Sequence, residues 1–78
     1  MKEREKYSRV LGKRIRKYRE SKNISIKDFE SLQDSIDRHA LSRIETGQVT
    51  PSAFTLYRIC VALGVSQSEL LREIDSEL

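Results

Sequence analysis

An all-α domain of five helices is what this sequence predicts, and three observations predict it. Apolar residues recur at helical spacing in five separate blocks. Helix-starting and helix-stopping residues punctuate those blocks at the right places. No segment alternates apolar and polar residues as a half-buried strand does. With 78 residues, 37% of them hydrophobic, the chain is expected to form a single domain over 1–78 with one modest core. Residues 1–7, "MKEREKY", are expected to be a flexible basic N-terminal arm.

The first helix is predicted over Ser8–Ser21. Tyr7, Leu11, Ile15 and Tyr18 make one buried stripe, and Lys13, Arg14, Arg16 and Lys17 lie mostly off it. Gly12 inside this helix is a mild cost, and "SKN" breaks it. The second helix starts at Ser25, a good N-cap, with Asp28 placed to accept from the exposed amides. Ile26, Phe29 and Leu32 recur every third residue. "QDS" ends this helix, with Asp34 or Ser35 making the turn, and Ile36 is expected to plug the core. The third helix has Asp37 as N-cap and runs from Arg38 to about Thr46. Ala40, Leu41 and Ile44 form its inner face, and Gly47 sits where a left-handed C-cap belongs.

The fourth helix opens "TPS": Thr50 is read as its cap and Pro51 as its first turn, where a missing N–H costs nothing. Leu56, Ile59, Cys60 and Leu63 give its core stripe, and Gly64 stops it. The fifth opens on Ser66 and Glu69, a capping box. Leu70, Leu71, Ile74 and Leu78 give it an apolar side.

The net charge of +3 hides an asymmetry: residues 1–22 carry +7 and residues 23–78 carry −4. The basic end suits an anionic partner, either nucleic acid or a membrane surface. The membrane reading is the weaker, because the apolar stripe of the first helix is narrow, holds two Tyr and suits a core. No apolar run approaches the roughly 20 residues of a membrane span, and the charged start lacks the apolar region of a secretory signal. Cys60 is the sole cysteine. It packs as a small hydrophobe, and a reducing, cytoplasmic setting fits it. One His, no Gly-rich phosphate loop and no HExxH leave no catalytic residue, no cofactor and no metal to assign, so the chain is not read as an enzyme.

A short helix, a turn and a second helix with polar side chains exposed at its start make a helix-turn-helix, here the second and third helices. The blocks "LGKRIRKYRESKNIS", "LSRIETGQVTPS" and "LYRICVALGVSQSELL" together resemble the Cro and lambda-repressor family, also called the xenobiotic-response-element family. The likeness covers roughly residues 11–71. There are departures. Ile26 stands where the family usually has Gln, and Glu30 where it has Ala. The segment joining the two helices is one residue longer than usual and has no Gly. The resemblance implies a five-helix lambda-repressor-like DNA-binding domain and a sequence-specific transcriptional regulator of double-stranded DNA, a repressor by expectation.

A recognition helix enters the major groove N-terminus first, so Arg38 and His39 are the expected base readers. Arg can grip guanine O6 and N7 with its planar fork. The resemblance places base or phosphate contacts at Ser42 and Arg43; the alternative for Arg43 is to brace the helix against Glu30 or Asp34. Thr46, Gln48 and Thr50 surround the next connection, where short polar side chains and free amides suit a phosphate. Ser25 and Lys27 are expected to hold another phosphate in place of the missing Gln. The resemblance also pairs Arg19 with Glu45 in a partly buried salt bridge.

Phe54, Tyr57 and Val61 form a second apolar stripe on the fourth helix. Leu70 and Ile74 complete the expected surface of a two-fold homodimer on an inverted repeat. The alternative is a fifth helix folded over the stripe and a monomer in solution. Small proteins of this plan resemble phage Cro-type repressors, antitoxins and the controllers of restriction-modification systems. The rival function is therefore an antitoxin or adaptor, whose main partner is a toxin or another protein.

Overall fold

The computed structural model describes residues 2–78. Five α-helices follow in order: α1 (Lys2–Ser21), α2 (Ile26–Leu32), α3 (Arg38–Glu45), α4 (Ala53–Leu63) and α5 (Gln67–Leu70). A short 3-10 helix, Ile74–Glu77, follows them. There is no strand among the described residues.

α1 starts six residues earlier than the sequence suggests and takes in residues 2–7 of the expected arm. Met1 lies outside the described residues. Glu3 and Glu5 in its first turn and Arg19 in its last both suit the helix dipole. At 20 residues α1 is about 30 Å long, nearly the 33 Å long axis of the molecule.

The other helix ends are set by local side-chain chemistry. Ser25 caps α2 in a complete capping box with Asp28. The Asp37 carboxylate accepts from the Ala40 N–H at the start of α3. Gly47 and Gly64 take the left-handed conformation that ends α3 and α4. Three expectations need correction. The cap of α4 is Ser52, whose hydroxyl accepts from the Thr55 N–H, and Pro51 precedes the cap. Thr50 is not available for capping because its hydroxyl is hydrogen-bonded to that of Ser8. Ser66 caps α5 through the Glu69 N–H, but α5 ends at Leu70, since Glu73 turns the chain through a left-handed residue.

The core gathers Leu11 and Ile15 of α1, Phe29 of α2, Leu41 of α3, Ile59 and Leu63 of α4 and Leu70 of α5, all fully buried. Burying one such side chain is worth ~1.5–3 kcal/mol. Ile36 plugs this core from the α2–α3 connection, and Cys60 lies inside it, where burial pushes its thiol pKa up. Leu70 and Ile74 are core residues of the chain itself. They are therefore withdrawn from the expected dimer surface, because a side chain buried in its own domain has no area left for a partner. Phe54, Tyr57 and Val61 remain exposed.

α1 lies directly on the end of α3. A Cβ on Gly12 would stand 2.4 Å from the Ile44 carbonyl oxygen and 2.6 Å from that of Glu45. Only glycine lets the two backbones approach so closely, which explains a residue that is otherwise unfavourable within a helix.

Candidate nucleic-acid interface

The α2–α3 connection spans residues 33–37 and is held at both ends. The buried Gln33 caps α2, and its Oε1 accepts from Ser35 and from both Nε and Nη2 of Arg58 on α4. The Glu30 carboxylate accepts from the backbone N–H of Arg38, at 3.0 Å. With Ile36 in the core and Asp37 capping α3, the longer connection is fixed without a glycine. Neither Gln33 nor Arg58 is conspicuous in the sequence, because their link spans 25 residues and no local pattern marks it.

The first turns of α3 are thereby presented outward. Arg38, His39, Ser42 and Arg43 are all exposed. Among the described residues Arg43 bonds neither Glu30 nor Asp34, so the bracing alternative is not used. The Asp37 carboxyl is held below its ordinary range chiefly by the Ala40 N–H; desolvation, the next effect in size, opposes this, and His39 and Arg43 add smaller lowering contributions. The resulting surface combines two guanidinium groups, an imidazole and a hydroxyl at the open end of a helix, the donor-rich set that base edges and phosphates accept from.

α3 is anchored from behind. Arg19 Nε and Nη2 donate to Glu45 Oε2 and Oε1 at 2.7 and 3.0 Å, and Nη1 donates to the Ile24 carbonyl at 2.7 Å. Both side chains are buried. The Glu45 carboxylate holds the Arg19 pKa above its ordinary value. One bidentate pair thus ties α1, the α1–α2 connection and the end of α3 together.

The expected phosphate positions are differently employed. Thr46 Oγ1 donates to the Ser42 carbonyl and accepts from Gln48 Nε2, so both stabilise the end of α3. Thr50 meets Ser8. Ser25 is used as a cap, and Lys27 beside it is exposed. All five remain at the surface, so capping and phosphate contact are geometrically compatible. A residue not marked in the sequence is Arg14, whose guanidinium binds the Leu70 and Arg72 carbonyls and Glu77, holding the 3-10 segment against α1.

A family model described as a helix-turn-helix domain matches residues 12–76. An uncharacterized HTH-type transcriptional regulator, y4dJ, of Sinorhizobium fredii is 30% identical over 67 residues, covering 86% of each chain. The control protein C.MunI of a Mycoplasma species is 32% identical over 67 residues, covering 86% of this chain and 90% of that protein. No solved structure matches the chain. No described helix is long and apolar enough to cross a membrane. Fold, exposed helix face and relatives agree: the chain belongs to the helix-turn-helix family, on the Cro and lambda-repressor plan, and is a DNA-binding transcriptional regulator.

Proposed function

We propose that the protein is a cytoplasmic repressor that binds an inverted repeat as a homodimer, with α3 in the major groove of each half-site. The observation that supports this best is the exposed start of α3, where Arg38 and His39 extend from a helix fixed at both ends. Arg38 and His39 contact base edges. Ser42 and Arg43 contact bases or phosphate one turn on, and Lys27 with Ser25, and Thr46 with Gln48 and Thr50, flank them along the backbone.

The dimer reading rests on α4. Phe54 is 65%, Tyr57 49% and Val61 58% exposed, on one face of a single helix. The rings of Phe54 and Tyr57 stack at 6.1 Å between centroids. One α3 touches too few base pairs for high selectivity, and two-fold pairing sets a second copy about 34–36 Å away, one helical turn of DNA. Occupying a site is enough to block transcription, whereas activation needs a further contact. The likeness to a control protein supports a regulatory role of this kind. A second reading uses the same stripe for another protein, such as a toxin, as an antitoxin would.

Selection of bound sites from random duplex DNA, joined to sedimentation at micromolar concentration, tests the proposal. An inverted-repeat motif and a dimer abolished by Tyr57→Glu are expected. A monomer that binds a single half-site with full affinity would sink the dimer, and no enrichment of any sequence would sink the DNA reading.

A further inference from the structure

We infer that the outer face of α1 is a second, sequence-independent DNA contact, which holds the phosphate backbone of duplex flanking the site read by α3. This rests on the function proposed above.

Lys2, Lys6, Arg9, Lys13 and Lys17 follow at intervals of three or four residues, so they form one row along the helix. All five are exposed. Lys6 donates to the Leu78 carbonyl oxygen, and the other four carry no hydrogen bond or ion pair among the described residues. The structural needs of α1 are met elsewhere: Arg14 and Arg19 take the internal partners, and Arg16 pairs with Glu20. Like charges three and four apart on a helix oppose folding slightly, so the row is not explained by the stability of the domain. An external polyanion balances it.

The row also continues the candidate interface. A Cβ on Gly47 would stand 2.7 Å from Arg9 Cγ and 2.9 Å from Arg9 Cα, so α1 runs hard against the α3–α4 connection. Ser8 is hydrogen-bonded to Thr50 there. A strand whose phosphates meet Gln48 and Thr50 passes next to Arg9 and on to its neighbours in the row. Glu3 and Glu5 flank the beginning of the row; at its other end Glu20 is taken up by Arg16, and Glu77, which lines the same cleft as Lys13 and Lys17, by Arg14.

Duplex DNA fits this face better than an acidic protein does. The cations recur once per turn, about 5.4 Å, along a straight rod of about 22 Å, and a duplex offers an unbroken line of charge at one per ~1.7 Å. A protein partner needs apolar anchors, and Tyr7, Val10 and Tyr18 of α1 are turned toward the core.

The experiment compares a duplex of about 20 bp carrying only the selected site, two half-sites one turn apart, with the same duplex extended by about 10 bp at each end. Affinity is measured from low to moderate salt for the whole chain and for the variant Lys6→Gln, Lys13→Gln, Lys17→Gln. The wild type is expected to bind the longer duplex more tightly and with a steeper salt dependence. The triple variant loses that gain, its log–log salt slope on the longer duplex falling by about 2–3 at ~0.9 per phosphate contact. Its affinity for the short duplex stays near wild type, which separates this outcome from failure of α3 to read DNA. Equal binding of both duplexes by the wild type would overturn the inference. So would a triple variant that keeps the length dependence, or one that differs from wild type only in retention of a polyglutamate chain, the sign of an acidic protein partner.

Discussion

Replacing Glu45 by Gln probes the anchor of the recognition helix with almost no change of shape. The wild-type carboxylate receives two bonds from the Arg19 guanidinium, and the side chains of the pair are only 8% and 4% exposed. Gln keeps one acceptor oxygen, loses the charge and turns an NH2 donor toward a guanidinium donor. Leaving one partner of a buried pair uncompensated costs about 3–5 kcal/mol. Here the lower end applies, about 3 kcal/mol, because Arg19 keeps the Ile24 carbonyl. In a domain of this size 1 kcal/mol moves the melting temperature by about 4–8 °C, so a fall of roughly 12–24 °C is expected by calorimetry or circular dichroism. Removing both charges, as Arg19→Met with Glu45→Leu, should recover part of the loss, since no unpaired ion then remains. A Glu45→Gln melt within about 4 °C of wild type would refute the reasoning. So would a double variant whose loss is the simple sum of the two single ones.

Gly12→Ala decides between propensity and packing: alanine in a helix normally gains about 1 kcal/mol over glycine, yet the Ile44 carbonyl leaves no room, and a net loss of about 2 kcal/mol is expected by urea unfolding. Arg38→Ala and His39→Ala should each relax preference at a different base position without lowering the melting temperature. Identical selected motifs for wild type and both variants would count against that assignment. The Asp37 carboxyl titrates below its ordinary value in the folded chain, so its contribution is complete above the unfolded value and disappears as pH falls through the lowered one. Amide exchange at Ala40 should therefore stay slow through the ordinary Asp range and quicken only below it, an effect that Asp37→Asn removes.

The sequence shows most clearly what neighbouring residues determine. Ser25, Asp37 and Ser66 bond amides three residues ahead, and Gly47 and Gly64 answer a purely local backbone requirement. The periodic core follows for the same reason. Distant partners decide the rest. Thr50 reads as a cap until Ser8, 42 residues away, takes its hydroxyl. Leu70 and Ile74 look free for a partner because periodicity cannot show that Arg14 folds their segment onto α1. Within the candidate interface, the outward positions of Arg38, His39, Ser42 and Arg43 follow from helical phase alone. The hold of Arg58 on Gln33 is invisible without the fold. Gly12 reads as a small penalty in one dimension and is a steric necessity in three.

Arg58 stands between two surfaces. Its guanidinium holds Gln33 at the entrance to α3 while lying 5.6 Å above the ring of Phe54 on the exposed stripe. A partner seated on Phe54 and Tyr57 would exclude water from that cation and stiffen its grip on the connection before α3. Assembly and DNA reading would then share one free energy of coupling. Whatever factor the partner adds to DNA affinity, DNA returns to the partner. Occupancy of the DNA site would switch over a narrow range of protein concentration, and Arg58→Leu would broaden that switch while leaving Arg38 and His39 in place.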